Sequence, residues 1–173
     1  MATDPSRLTP ISIVAFAPQH AEGVFDLILS IQREEFALPI TRADQPDLAS
    51  IPSFYQGGAG NFWVALDDGR VVGTIGLLDI GNREAALRKM FVASRYRGRE
   101  AGVALQLLKT LVGWARSQAL LRIYLGTTSR FLAAHRFYEK NGFREIAAAE
   151  LPATFPVMKV DTKFYLLTPG PVS

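Results

Sequence analysis

The chain has 173 residues, of which 49% are hydrophobic and 20% charged, a composition typical of a folded domain with a full core. It has no cysteine and two histidines, which excludes disulfides and thiolate-bound metals and predicts no metal site. The net charge of +3 comes without a dense basic tract, and no apolar run approaches about 18 residues, so we expect neither nucleic acid nor a membrane as partner. The N-terminal residues lack a secretory signal pattern, and we therefore expect a cytoplasmic protein.

The first third of the chain predicts a strand, a helix and short helical turns. Ile11–Ala17 is apolar and partly β-branched, which favours a strand. The apolar residues between His20 and Leu38 follow helical spacing, and Pro39 ends that helix. Prolines inside Asp44–Gln56 limit this segment to short helical turns.

An antiparallel meander follows. Strands are predicted at Asn61–Leu66, Arg70–Ile80 and Arg83–Ala93. Asp68-Gly69 joins the first two, and an Asp-Gly turn between apolar runs is a strong hairpin signal because glycine accepts positive φ.

The pattern then changes to alternating helices and strands. Helices are predicted at Gly98–Ala119 and Phe131–Lys140, and Asn141-Gly142 closes the second one as a left-handed C-cap. Strands are predicted at Leu121–Leu125, which Gly126 ends, and at Phe143–Leu151 and Val160–Leu167. A strand, a crossover helix and a strand imply a parallel pair. The fold class is therefore a mixed α/β domain (α+β mixed sheet) over residues 1–173, with an antiparallel N-terminal meander and a parallel pair.

Met90–Ala104 carries the strongest chemical signal in the chain. An apolar strand ends in a loop with three arginines and two glycines, and a long helix follows at once. The residues of this loop are Arg95, Arg97, Gly98, Arg99 and Gly102. Unpaired N–H groups and the helix dipole at such a helix start bind anions, which predicts a phosphate-bearing ligand. The alternative interpretation is a solvated basic loop.

Three segments together resemble the GNAT superfamily of acyl-CoA-dependent N-acetyltransferases. Arg97–Gly102 is similar to the family's Arg/Gln-x-x-Gly-x-Gly/Ala loop, and Tyr124–Thr128 to its next strand. Ala133–Phe143 resembles the signature Ala-x-x-x-Tyr-Glu-Lys-x-Gly-Phe nearly residue for residue. Two departures stand out: Glu100 replaces a loop glycine, and Phe131 stands where many relatives carry an asparagine.

The resemblance implies a GNAT-like fold and acetyl-CoA as cosubstrate, without a metal. It also implies a splayed gap beside Met90–Val92, into which the pantetheine arm adds like an extra strand. The cofactor contacts it implies are Phe91, Val92, Arg97, Gly98, Arg99, Glu100, Ala101, Gly102, Val103 and Ala104.

Tyr138 is the implied acid for the departing sulfur; the alternative is a core aromatic whose hydroxyl is satisfied by backbone. Glu84, on the strand leading into the cofactor segment, is the predicted base, with Glu34 and Glu35 as alternatives. The expected reaction is acetyl transfer from acetyl-CoA to a primary amine of a small molecule or peptide, and a homodimer is possible. The alternative function is a non-catalytic acyl-CoA-binding or sensor module on the same fold.

Overall fold

The computed structural model describes residues 10–98 and 102–170 of the chain. The strands of this described part form a single seven-stranded sheet in the order β1-β2-β3-β4-β5-β7-β6. The strands are β1 Ser12–Ala15, β2 Asn61–Asp67, β3 Arg70–Gly81, β4 Glu84–Val92, β5 Arg122–Thr127, β6 Arg144–Ile146 and β7 Lys163–Leu167. The helices are α1 Ala21–Ser30, α2 Pro46–Ala49, α3 Ile51–Phe54, α4 Val103–Ser117 and α5 Leu132–Lys140, with 3-10 turns at Pro18–His20, Arg42–Asp44, Ser94–Tyr96 and Ala148–Glu150.

Strands β1 to β4 form the predicted antiparallel meander. The turn between β2 and β3 places Asp68 at φ 50° and Gly69 at φ 78°, which is the left-handed geometry that two-residue hairpins require. Asn82 and Arg83 adopt the same geometry between β3 and β4, at φ 56° and 59°. The predicted hairpin at Asp68-Gly69 and the antiparallel meander are confirmed.

The parallel pair is also confirmed, and it is short. β4 pairs with β5 from Glu84↔Arg122 to Ala86↔Tyr124. Beyond that point β4 runs on to Val92 and β5 to Thr127 without pairing to each other, while β5 stays bonded to β7 on its other side. A gap therefore opens in the sheet between the second half of β4 and the end of β5; we call it the β4–β5 gap.

The two faces of the sheet are covered by different elements. Helix α4 buries one stripe, including Leu107, Leu111 and Ala115, against the meander, chiefly β2 and β3. Helix α1 packs Val24 and Ile28 on the opposite face. Burying aliphatic side chains of this kind stabilises a fold by about 1.5–3 kcal/mol each. We call these the α4 face and the α1 face; Phe155 and Phe164 extend the α1 face core beyond the gap.

Several predicted boundaries are wrong for identifiable reasons. The first helix is α-helical only to Ser30 and continues as a π-helical turn over Ile31–Glu35. Helix α4 begins at Val103 instead of Gly98, because Gly102 has a left-handed φ of 60°. β5 continues through Gly126, where a Cβ would lie 2.5 Å from Asp161 Oδ2, so this glycine admits a close neighbour rather than ending the strand. Of the predicted strand Phe143–Leu151 only Arg144–Ile146 is formed.

No helix within the described ranges combines the length and the apolar character that a bilayer crossing requires.

Candidate active site

The exposed edge of β4 forms one wall of the β4–β5 gap. Ala93 N–H donates to Val72 O across the β3 ladder at 2.9 Å. Because neighbouring residues of an antiparallel ladder point their main-chain groups to opposite sides, the main chain of Val92 faces the gap and that of Phe91 faces β3. A ligand in the gap can therefore bond to the main chain of Val92, whose carbonyl also accepts Arg97 Nε at 2.8 Å, while Phe91 contributes a side chain packed on the α1 face.

A β-bulge reshapes this wall. The register with β3 shifts so that Lys89 and Met90 together oppose Ile75. Lys89 has a left-handed φ of 56°, and its carbonyl accepts a bond of 2.7 Å from Thr74 Oγ1. Such a conformation costs about 1–3 kcal/mol and is often found at functional sites. As a result, the Lys89 side chain contacts Gln45, and the Met90 side chain contacts Tyr138.

Tyr138 lies beside the gap on the α4 face. Its side chain is buried among Phe137, Phe143 and Tyr165, and its hydroxyl donates a weak bond of 3.8 Å to Met90 Sδ. Burial raises the pKa of the Tyr138 phenol above its usual value. The hydroxyl is therefore protonated at neutral pH and bonded only to a soft sulfur acceptor among the described residues, so it is able to donate to another partner.

The end of α5 fixes the position of Tyr138. Gly142 has a left-handed φ of 94°, which lets Phe143 N–H return to Tyr138 O at 3.0 Å. The predicted C-cap is therefore present, and it holds the tyrosine at the last turn of the helix.

Glu84 lies at the closed end of the gap, on the first residue pair of the parallel ladder. Its buried carboxylate accepts a hydrogen bond of 2.9 Å from Tyr124 Oη and lies 3.8 Å from Arg122 Nη1. Burial, followed by this bond to Glu84, raises the pKa of the Tyr124 phenol. The role of Glu84 as base stays a prediction.

The predicted anion loop begins beyond β4. Gly98 and Gly102 have left-handed φ angles of 108° and 60°, and Gly102 N–H donates to Gly98 O at 3.2 Å. This bond joins the two glycines immediately before the first turn of α4, where Val103 and Ala104 lie. Arg99, Glu100 and Ala101 lie outside the described residues, and the predictions made for them stay predictions.

The Arg97 side chain is turned away from the loop it belongs to. Its guanidinium forms two bonds with the Glu35 carboxylate, at 2.5 and 2.8 Å, and Nε donates to Val92 O at 2.8 Å. Arg97 therefore ties the end of β4 and the start of the loop to the π-helical turn after α1. The sequence predicted a charge-assisted bond from this side chain to a phosphate, and gave no sign of the pairing with Glu35.

A ring contact links the same π-helical turn to the other side of the gap. Phe36 follows that turn, and its ring centroid lies 4.3 Å from that of Phe131, the residue before α5. Phe131, which stands where many relatives carry an asparagine, thus packs against Phe36.

A buried polar network lies behind β4 on the α1 face, and sequence reasoning missed it. Lys89 Nζ donates to Gln45 Oε1 at 2.7 Å and lies 3.8 Å from Asp47 Oδ2, which also accepts a 2.6 Å bond from Tyr55 Oη. Gln45 exchanges two further bonds with Gln32, at 2.9 and 3.0 Å. Burial lowers the pKa of the Lys89 ammonium, while Asp47 opposes this shift. The network joins the helical turns α2 and α3 to the bulge.

Two further charged side chains border the gap on the α1 face. Arg88 places its guanidinium 5.7 Å from the centre of the Phe54 ring and 3.6 Å from Met158 Sδ. Asp161 rests its carboxylate on Gly126 of β5 and accepts Met158 N–H at 2.9 Å. Neither was predicted as a site residue.

Two surface depressions, of about 440 and 620 Å³, lie elsewhere, and residues of β4 and β5 line neither of them. Within the described ranges, no three or more histidine, aspartate or glutamate side chains are grouped as a metal site would require.

Known proteins resemble this chain both in sequence and in fold. A sequence profile of the acetyltransferase (GNAT) family matches residues 25–143. The chain is 37% identical over 108 residues to N-acetylaspartate synthetase of Xenopus tropicalis, an alignment that covers 60% of this chain and 38% of that protein. The chain thus spans well under half the length of this curated relative.

Solved structures match over a larger share of the chain. An acetyltransferase of the GNAT family from Staphylococcus aureus Mu50 has a TM-score of 0.87 and 40% identity, covering 92% of this chain and 99% of its own. The PaiA N-acetyltransferase from Thermoplasma acidophilum, solved in complex with coenzyme A, has a TM-score of 0.71 and 16% identity, covering 91% and 98%. The second match concerns the fold alone.

Proposed function

Because the chain belongs to the GNAT family of acetyltransferases, we propose that it moves an acetyl group from acetyl-CoA to a primary amine of a small molecule or peptide. One observation carries this proposal: a strand edge left open beside a buried tyrosine hydroxyl, at the β4–β5 gap. An open edge can take a further extended segment, and a protonated phenol beside it can serve an acyl transfer.

Acetyl-CoA fits the groups that border the gap. The pantetheine arm would add along β4 and bond to the main chain of Val92, with the side chain of Phe91 behind it. The pyrophosphate would lie at the loop and helix start formed by Arg97, Gly98, Gly102, Val103 and Ala104, where main-chain N–H groups and the helix dipole favour an anion. Arg99, Glu100 and Ala101 complete this predicted contact set. The coenzyme A complex of the Thermoplasma relative supports the assignment of the ligand.

The reaction needs two proton movements. A neutral amine attacks the thioester carbonyl carbon, and an N–H group at the β4 edge would stabilise the oxyanion. The nitrogen gives up a proton as the carbon–sulfur bond breaks, and the sulfur takes one. Tyr138 is proposed as the donor to sulfur. Burial raises its pKa, which keeps the phenol protonated but makes it a weaker acid, so the transfer depends on the hydroxyl lying within hydrogen-bond reach of the sulfur. Glu84 stays the predicted acceptor of the amine proton.

The experiment measures release of the free thiol from acetyl-CoA in the presence of a panel of primary amines, against a control without amine. The Xenopus relative is named for an N-acetylated amino acid, so the panel includes amino acids. Amine-dependent release with matching formation of the N-acetyl product is expected. Binding of acetyl-CoA without turnover on any amine would support the sensor module instead.

The pairing of Arg97 with Glu35 yields a prediction for cofactor binding. If Arg97 acts by holding the loop start, Glu35→Gln and Arg97→Gln should each weaken acetyl-CoA affinity by a similar factor, about 2- to 5-fold for a partly exposed pair. The double variant should be no weaker than either single variant, because both remove the same link. Calorimetric titration of the four proteins measures this cycle. A loss confined to Arg97→Gln would instead indicate that Arg97 acts through its bond to Val92 O or through direct contact with phosphate.

The cytoplasmic location, the absence of nucleic-acid and membrane partners, the single domain and the homodimer alternative stay predictions. Light scattering on the purified chain measures the oligomeric state.

A further inference from the structure

We propose that the acceptor is an α-amino acid with an apolar side chain, whose carboxylate binds Arg88 and whose amine binds Asp161. This proposal rests on the proposed acetyl transfer and names its acceptor. It is carried by the placement of these two side chains on the face of the gap opposite Tyr138.

The strand pairing places Arg88 beside the gap. Ala86 is the last β4 residue paired with β5, and it packs with Tyr124 and Phe155 on the α1 face. Side chains alternate along a strand, so Arg88 projects to that same face two residues farther on, where β5 has left β4. Tyr138 lies on the α4 face. An amine bound on the Arg88 side would thus attack the thioester carbonyl of acetyl-CoA from the α1 face. Tyr138 would protonate the sulfur from the α4 face.

Arg88 forms no ion pair within 4.0 Å with a carboxylate of the described residues. Its guanidinium contacts the Phe54 ring and Met158 Sδ, two side chains that are 40% and 46% exposed. A guanidinium has five N–H donors in a fork that matches a carboxylate. The side chain is therefore suited to an anionic ligand with apolar groups nearby.

Asp161 is held in place by a short, closed turn. Its carboxylate accepts Met158 N–H at 2.9 Å, and its own N–H returns to Met158 O at 3.0 Å. Thr162 N–H donates to Thr127 O at 2.9 Å, which fastens this turn to the end of β5. Gly126 has no side chain, and only for that reason can the carboxylate approach the strand so closely.

Arg88 and Asp161 form two separate points of opposite charge. They lie close enough for the Arg88 charge to lower the pKa of Asp161, yet they form no ion pair within 4.0 Å. Burial outweighs this effect and raises the pKa of Asp161. A ligand with an ammonium and a carboxylate on one carbon complements this pair of charges, and Phe54 and Met158 offer contacts for an apolar side chain.

The proton balance follows from this placement. Asp161 takes one proton from the bound ammonium and leaves the neutral amine. That amine attacks the thioester carbon, the nitrogen gives its second proton to the predicted base Glu84 as the carbon–sulfur bond breaks, and the sulfur gains one from Tyr138. Of the two protons then held by Asp161 and Glu84, one returns to Tyr138 and the other is released to solvent. The products are the N-acetyl amino acid and the free thiol, with one proton released overall.

Three acceptors that differ only in the carboxylate test the proposal: L-leucine, L-leucinamide and 3-methylbutylamine. Arg88→Gln should lower kcat/KM for L-leucine about 10- to 100-fold and change it little for the two analogues that lack the carboxylate. Arg144→Gln, an exposed arginine on β6, is the matched control and should leave all three unchanged. An equal loss on all three acceptors would mean that Arg88 is structural, and would overturn the proposal.

A second variant separates function from folding. Asp161→Asn keeps an oxygen for Met158 N–H and removes a partly desolvated charge. A carboxyl whose folded pKa is raised favours folding below its unfolded pKa, and this contribution is lost as pH rises through the folded pKa. At neutral pH the variant should therefore melt no lower than wild type, while its kcat/KM for L-leucine falls. A lower Tm with unchanged kcat/KM would show that Asp161 only supports the fold.

Binding distinguishes a failure of this proposal from a failure of the proposed function. Should no amine be acetylated, the proposed function fails, and L-leucine can still be titrated calorimetrically into the complex with coenzyme A. Binding that is lost in Arg88→Gln and absent for 3-methylbutylamine would support the acceptor site. Equal binding of leucine and the amine, or binding of neither, would overturn it.

Discussion

Tyr138→Phe should lower kcat by a factor of about 10² to 10⁴ and leave the affinity for acetyl-CoA largely unchanged. The ring fills a buried position among Phe137, Phe143 and Tyr165, and phenylalanine keeps that packing. The hydroxyl makes only a weak bond to Met90 Sδ, so its removal costs little stability. The loss should therefore appear in the chemical step, measured as thiol release at saturating amine.

Tyr165→Phe is the matched control for this prediction. Tyr165 is a fully buried tyrosine on β7 whose ring lies 6.0 Å from that of Tyr138. Its variant removes the same atom from the same core without touching the proposed acid, and kcat should be retained. Equal kcat values for wild type and Tyr138→Phe would remove Tyr138 from the mechanism.

Lys89→Met should lower the free energy of unfolding by about 3–5 kcal/mol, the effect expected when one partner of a buried ion pair is removed. The variant leaves the Asp47 carboxylate buried with Tyr55 Oη as its remaining bonded partner among the described residues, and takes a donor away from Gln45. Urea denaturation of both proteins at pH 7 measures the difference.

We attribute the large loss of stability in Lys89→Met to the burial of its ion pair, and a more exposed ion pair tests this. Lys163→Met breaks the contact between Lys163 and Glu145, whose carboxylate side chain is 55% exposed, and should cost no more than about 1 kcal/mol. Adding Asp47→Asn to Lys89→Met should recover part of the loss, because it removes the unpaired charge. A Lys89→Met variant as stable as Lys163→Met would show that the network adds little to the fold.

The features that could be predicted from the sequence have local causes. Asp68-Gly69 identifies its hairpin because two neighbouring residues must adopt positive φ. The parallel pair follows from a strand, a helix and a strand in succession, and Tyr138 lies within a contiguous motif that ends in its own C-cap. In each case the signal and the structure lie within a few residues, or follow from the order of elements.

The features that were missed depend on contacts between distant segments. Arg97 and Glu35 are 62 residues apart, and Lys89 and Gln45 are 44 apart, so neither pairing has a local pattern. Gly126 gave a signal, but an ambiguous one: glycine ends strands and also admits close neighbours, and only the position of Asp161 distinguishes these roles. The bulge at Lys89 likewise contradicts local propensity, since a lysine takes a left-handed conformation inside a strand.

Acetyl-CoA is proposed to occupy the β4–β5 gap with its sulfur beside Tyr138. A crystal structure of the chain with bound coenzyme A tests it most directly. We expect the pantetheine arm between β4 and β5, bonded to the main chain of Val92, with Tyr138 as the tyrosine nearest the thiol. Coenzyme A bound elsewhere, or in the gap with its thiol remote from Tyr138, would rule out this binding site and the proposed role of Tyr138.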